Sequence, residues 1–370
     1  MKMKMLKVMI LSTLLLTATG CWDQKLLKEN TLAFSISYDT TDKENQILGT
    51  SIIRILKQIG GGQTQPINII VESKGRTPRE IRKKWDTAVP GIYAPNKVQV
   101  ILFGEELAKK GIYSILDIFY RDQTNNINAK PIITKGKASS ILKMKEIKHV
   151  LISQGLSALL HSTEERSITP EESLATIFPV IFDPGTDLFL PYFEKTNKET
   201  VEVKGVALFH GDKFTGHVLT DKQATILLLL TKKEGKYTRF TFPMGNKEHE
   251  KYLSISVFNS KQKTKLKINN KNQIKADISL KLNVTINEYI NGRMDEKDKL
   301  NELLSEKLTL LAKSVTNELQ AANCDALAIR REIMIKHPEL SEKYNQKKQY
   351  QEIEINPKVT VNILNTGVLN

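Results

Sequence analysis

"LKINNKNQIKADISLKLNVTI" occupies residues 266–286, and its reading decides the fold of the second half of the chain. Leu266 and Ile268 lead into the turn Asn269-Asn270-Lys271-Asn272, after which Ile274, Ala276, Ile278, Leu280, Leu282, Val284 and Ile286 alternate with polar residues. Side chains two apart share one face of a strand, so this is a hairpin with a long return strand buried on one side. Upstream, Leu253, Ile255 and Val257 alternate with serines in the same way. Beyond Asn291-Gly292, Leu300, Leu304, Leu308, Leu311, Val315 and Leu319 recur every three or four residues, the stripe of an amphipathic helix. A coiled coil would use such a stripe too, but a helix laid on the preceding sheet is the expected arrangement. Ile353, Ile355, Val359, Val361 and Ile363 close the chain as a strand broken at Pro357, which points to an edge or a bulge. The segment 198–370 therefore reads as one α+β unit, an antiparallel-rich sheet packed on a long helix, entered through strands around the turn His210-Gly211-Asp212-Lys213 and a short helix that Asp221 caps.

Residues 21–197 alternate strand with helix and read as a mixed α/β region in two subdomains. Strands are expected at Thr31–Tyr38, Gln46–Leu56, Ile67–Val71, Val98–Phe103 and Lys130–Thr134. Thr77-Pro78-Arg79-Glu80 combines a capping hydroxyl, a proline at the first helical position and a returning carboxylate, and predicts a helix to about Asp86. Helical patterning over Glu105–Tyr120 is interrupted at Gly111, and Ser139–His161 reads as one long amphipathic helix. Thr169-Pro170-Glu171-Glu172 repeats the capping pattern, for a helix ending before Pro179. Gly60-Gly61-Gly62 lacks the Lys-Ser/Thr ending of a phosphate loop and reads as a turn.

The N-terminus is read separately. Lys2, Lys4 and Lys7 precede an apolar run over Val8–Leu16, too short to span a bilayer and built like an export signal. Ala18-Thr19-Gly20-Cys21 then resembles a bacterial lipobox, in which Cys21 carries a diacylglyceryl group and becomes residue one of the working protein; the alternatives are an ordinary secretory signal cut nearby, or a short buried apolar segment with an unremarkable thiol. Residues 1–20 are accordingly assigned to a lipoprotein signal peptide. Lipidation of Cys21 would leave Cys324, the other of two cysteines, with no intramolecular partner.

The formal charge of +14 admits a nucleic acid, an anionic membrane or a solvated lysine-rich surface. An export signal and the lack of aromatics interleaved with Lys and Arg argue against nucleic acid, which leaves the anionic membrane beside a lipid anchor and the solvated surface. The six histidines form no HExxH, and His210 and His217, which flank a turn, read as incidental surface residues rather than metal ligands. Asp183 and Asp187, around Pro184-Gly185, lack the further oxygen donors of a calcium loop and read as turn aspartates. No Gly-x-Ser-x-Gly elbow is present. No catalytic residue, metal site or cofactor is assigned, and the chain is expected to be non-enzymatic.

Several segments together resemble the Ger(x)C family, the lipoprotein C subunits of spore nutrient-germinant receptors: Cys21-Trp22-Asp23, Gly75-Arg76-Thr77-Pro78-Arg79-Glu80-Ile81, Arg121-Asp122 followed by Lys130–Ile141, Val203-Lys204-Gly205-Val206-Ala207-Leu208-Phe209 with the turn to Lys213, and Val359–Val368. The resemblance implies three mixed α/β domains with folds peculiar to the family. It also implies a lipid tether at Cys21 to the outer face of the spore inner membrane, and two integral-membrane partners, an A subunit and a transporter-like B subunit. The chain would then be needed for receptor assembly or signalling in germination. Trp22 suits the bilayer interface next to the anchor, or packs against the first strand. The competing function is a substrate-binding lipoprotein feeding a membrane transporter; a membrane-held hydrolase fits less well, since no nucleophile and base can be paired from sequence.

Overall fold

The computed structural model describes residues 30–61, 63–243, 252–269, 273–289, 297–340 and 350–365. The lipobox residues Ala18, Thr19, Gly20 and Cys21, and Trp22 beside them, lie outside the described residues.

The first half is a sheet covered on both faces. Strands β1 (Asn30–Thr40), β2 (Ile47–Gly60) and β3 (Gln63–Gly75) form an antiparallel meander, and helix α1 (Pro78–Asp86) follows. Short β4 (Ile92–Ala94) and then β5 (Val100–Gly104) run parallel to β1. Helices α2 (Glu105–Lys110) and α3 (Tyr113–Arg121) lead to β6 (Lys130–Thr134), parallel to β5. Strand alternation explains the two covered faces. Ile53, Ile101, Phe103 and Ile133 pack under α1, α2 and α3 with Ile81, Trp85, Leu107 and Phe119, while their chain neighbours Ile52, Val100, Leu102 and Ile132 face a second core.

That second core changes one expectation. Ser139–His161 is not one helix: it is α4 (Ser139–Leu142), a two-residue hairpin of β7 (Glu146–Ile147) and β8 (Val150–Leu151), and α5 (Ile152–Glu165). Lys145, Lys148 and His149 take left-handed backbone angles (φ 65°, 48° and 65°), which no helix continues through. Both helical pieces lay Ile141, Leu142, Ile152, Leu156 and Leu160 on the same core, so a helical apolar period persists across the break. Lys143–Lys148 is accordingly a turn leading into β7 and not a helix face. Asp39 of β1 fixes the start of α4: its carboxylate accepts the N–H groups of Ala138 (2.6 Å) and Ser139 (2.8 Å), and burial raises its pKa.

Helix α6 (Leu174–Ile181) begins five residues after Thr169 and runs through Pro179. Ser173, not Thr169, is the cap, in a reciprocal box with Thr176, and burial of Leu174 and Ile177 outweighs the donor that Pro179 lacks. Glu172, expected in the first turn, instead bonds Lys233 (2.6 Å). Strands β9 (Phe189–Lys195), β10 (Val201–His210) and β11 (Lys213–Leu219) complete the large sheet, in the order β11-β10-β9-β6-β5-β1-β2-β3 with β4 beside β1. The sheet thus takes in strands from both sides of residue 197.

Helix α7 (Asp221–Thr231) is capped by Thr220, whose N–H meets Gln223 Oε1 at 3.1 Å; Asp221 is the first helical residue instead of the cap. Its residues Ala224–Leu230 are all buried. A four-stranded sheet, β12 (Thr238–Pro243), β13 (Tyr252–Ile268), β14 (Ile274–Tyr289) and, parallel to β14, the edge strand β15 (Glu354–Asn365), closes over it with the long helix α8 (Lys297–Ala321). The sheet-on-helix arrangement expected for this half is observed. Helix α8 also lies along the free side of β15. Asn301, Ser305 and Thr309, one turn apart, accept the N–H groups of Ile363 (2.9 Å), Val361 (2.9 Å) and Val359 (3.0 Å), blunting an exposed strand edge. A short helix, α9 (Ile329–Lys336), follows α8.

Gly205 sits at a bulge in the pairing of β9 with β10, with φ 124°, and a Cβ built there would lie 1.9 Å from the carbonyl oxygen of Leu219. Gly205→Ala is expected to cost about 3 kcal/mol through backbone strain and overpacking, read as a lower urea midpoint. Ala replacing the open Gly211 at φ 58° should cost only about 1 kcal/mol.

Candidate functional site

The largest group of buried charge among the described residues joins the two halves of the chain. The segment Asp183–Leu188 brings the chain from α6 to β9, and Asp325 closes the turn that leads from α8 to α9. Asp187, Asp325 and Arg330 are all buried. The Arg330 guanidinium bonds Asp187 through Nη2 and lies 3.3 Å from Asp325 Oδ2 through Nε. Asp325 also accepts the first N–H groups of α9, Ile329 (3.0 Å) and Arg330 (2.7 Å), serving donors that a helix start leaves open. Asp187 accepts the Asp325 N–H at 2.8 Å and the Gly211 N–H at 2.7 Å, and His210 Nδ1 stands 3.5 Å away. Arg331 bonds Asp183 beside it, and the Asp183 carboxylate holds the Gly185 N–H at 2.7 Å.

The electrostatics follow from burial. Removal from water would raise the pKa of Asp187, but His210, Arg330 and two backbone donors hold it below the usual carboxylate range. Burial pushes Asp325 up to about 6; its N–H donors and Arg330 oppose the rise, and the charge of Asp187 adds to it. Cys324 is buried with its thiol directed at the Leu188 carbonyl, 3.6 Å away, and burial raises its pKa well above the ordinary value. Such a thiol is a packing group and not a nucleophile.

Asp183 and Asp187 read as turn aspartates in the sequence. Asp183 does close a turn, but Asp187 is the centre of this group, and its partners lie 138 and 143 residues away in sequence. No local pattern carries that signal. His210 and His217 engage different carboxylates, Asp187 and Glu318 (3.2 Å). Among the described residues no cluster of three or more His, Cys, Asp or Glu side chains is placed to hold a metal ion. The grooves among the described residues are open: one of about 630 Å³ carries His161, Glu165, Asp221 and Arg239 on its walls, and a larger one of about 810 Å³ runs past Asp277, Glu306 and Lys313. No helix among the described residues is long and apolar enough to cross a membrane.

Segments far apart in sequence also meet. Arg79 and Arg82 of α1 both reach Asp122 (3.2 and 2.8 Å), and the turn residue Asp212 receives the N–H groups of Ile112 and Tyr113 at the start of α3. Arg79 and Asp122 thereby join two of the stretches that carried the resemblance noted above, and Asp212 ties a third to α3. Residues 23–195 match the family described as Spore germination protein N-terminal domain, and residues 204–367 match Spore germination B3/GerAC like, C-terminal. The chain belongs to the Ger(x)C family of spore germination proteins. It is 28% identical over 279 residues to Spore germination protein GerQC of Bacillus cereus, covering 73% of this chain and 74% of that protein. It is 21% identical over 274 residues to Putative spore germination protein YfkR of Bacillus subtilis (strain 168), covering 70% and 69%. Its fold is that of the GerBC protein crystal structure, with a TM-score of 0.54 at 17% identity over 90% of this chain and 99% of that one.

The buried group gives two expectations. Arg330→Met leaves two buried carboxylates without their cation and should cost about 3–5 kcal/mol. The pH response follows from Asp325: a folded pKa of about 6, above the ordinary aspartate value of 3.8, means that the folded state holds this proton more tightly. Its penalty is therefore fully present above pH 6 and is relieved as pH falls toward 4. The urea midpoint should rise between pH 7 and pH 5 in the native protein and rise less in Asp325→Asn; equal slopes would refute the assignment.

Proposed function

We propose that this protein is the lipid-anchored C subunit of a nutrient germinant receptor, a non-enzymatic component that holds the receptor together or couples nutrient sensing to its response. The observation that carries this reading is the run of family resemblance from residue 23 to residue 367, starting two residues after a lipobox cysteine. In this reading Cys21 bears the diacylglyceryl group, Trp22 rests at the bilayer interface, and the protein stands on the outer face of the spore inner membrane beside two integral-membrane subunits. Its excess of lysine and arginine adds attraction to anionic lipid, a second term that reinforces one anchor. The working domains 21–197 and 198–370 would then act as one body, since the large sheet and the buried group around Arg330 both bridge them.

Crosslinking and purification of this protein from spore inner membranes, beside a Cys21→Ala version, tests the proposal. Two polytopic membrane proteins should accompany the native chain and fall sharply with Cys21→Ala. Recovery of a nucleotide-driven permease would favour a substrate-binding lipoprotein instead.

A further inference from the structure

The two larger sheets present four edges, and three carry features that discourage a further strand. Strand β15 has its outward N–H groups taken by α8; β12 is six residues long and holds Arg239 and Pro243; β11 is seven residues long and broken by Gly216 at φ 88°. The fourth edge, β3, is different. It is thirteen residues long and pairs only with β2. From Gln58 to Val71 there is no charged residue, in a chain that is 26% charged, and Pro66 is the single residue there that opposes pairing. Gln63–Pro66 and Ile69 are exposed.

Topology gives this edge a direction. The last residue of β2 paired with β1 is Ile53, opposite Ala33, yet β2 runs on to Gly60. The β2–β3 arm therefore projects past Asn30, the start of β1, by about 13 Å at the usual strand rise. Eight residues separate Asn30 from Cys21, a reach of at most about 32 Å. The arm thus leaves the sheet at the end where β1 begins, the end from which the chain runs back in sequence toward Cys21.

We propose that the open edge of β3 is a docking strip for an extended segment of a different polypeptide at the bilayer surface, which adds to the sheet as a further strand. The direction of the arm rests on the anchor reading of Cys21; the openness of the edge does not. A second copy of this chain is a poor occupant. Antiparallel pairing of two β3 strands would point the two arms, and so the two anchors, in opposite directions. In a parallel ladder the slanted bonds make the two strands inequivalent, which no twofold axis allows. The bilayer itself is a poor occupant as well. From Ile55 to Val71 the arm has one cation, Lys57, and no aromatic residue, whereas interfacial segments combine several of both.

The test places a photoreactive benzoylphenylalanine at Thr64 or Ile69 of the full-length lipoprotein in spore membranes, with a control at Leu310, exposed on α8. The expected result is one heterologous polypeptide captured at both β3 positions and not at Leu310. Amide exchange over residues 63–71 should also slow by about tenfold or more relative to the purified protein. Ile67→Lys with Ile69→Lys should abolish capture and protection while leaving the urea midpoint of the purified protein unchanged. Capture of this chain alone, of lipid alone, or of nothing would overturn the proposal, as would capture without amide protection. The mass of the N-terminal peptide decides the anchor separately: an unlipidated Cys21 removes the orientation, while the adducts at Thr64 and Ile69 still decide the strip.

Discussion

Helix α7 imposes the condition that the rest of the structure meets. Ile226, Leu227, Leu228, Leu229 and Leu230 are consecutive, so their side chains point in every direction around the helix axis, and all five are buried. A helix that is apolar all round requires cover on every side. Val206, Leu208 and Leu219 of the large sheet supply it on one side; Leu253, Ile255, Leu280 and Leu282 of the small sheet and Leu304 and Leu308 of α8 belong to the same core. Neither sheet could leave without exposing a leucine-rich surface, and the two halves are therefore parts of one body.

The apolar contact around α7 is not directional, and the buried carboxylates supply what it lacks. Arg330 meets Asp187 and Asp325 together, and Asp187 in turn holds the turn after β10 through Gly211. A buried ion pair gains little net stability once desolvation is counted, but an unpaired one is costly. The group therefore selects one seating of α9 against the large sheet more than it adds to the total. Its charges sit where the end of α8, the start of β9 and the β10–β11 turn converge, so one arginine and two carboxylates bind three separate elements.

What could be read from the chain alone was what its neighbours in sequence determine. Helix α1 was legible because its cap is local: Thr77 Oγ1 accepts from Glu80 at 3.2 Å and Glu80 accepts from Arg76 at 2.8 Å. The hairpin of β13 and β14 was legible because one face is buried, and alternation then has a single reading. The break within Ser139–His161 was hidden because three lysine and histidine residues with left-handed backbone carry no glycine to announce the turn. The buried group was hidden for a different reason: Asp187, Asp325 and Arg330 each look like surface residues until the fold joins them. The large sheet's continuation past residue 197 was hidden for another reason: β9 and β10 form an antiparallel hairpin there, but Phe189–Phe193 are all buried and show no alternation to mark a strand.

The row of side chains from α8 along β15 sets two rulers side by side. Four helical residues advance about 6.0 Å, whereas two strand residues advance about 6.6 Å. Each rung therefore slips by about 0.6 Å, and after three rungs the mismatch approaches the tolerance of a hydrogen bond. The observed row has three: Asn301 with Ile363, Ser305 with Val361, and Thr309 with Val359. A fourth would set Lys313 against residue 357, and residue 357 is proline, which has no N–H to serve. Helix and strand thus run out of register at the point where the strand stops asking for a partner. A one-residue insertion between Asn301 and Thr309 would turn the later rungs about 100° away from the strand, so this stretch of the helix is fixed in length as well as in composition.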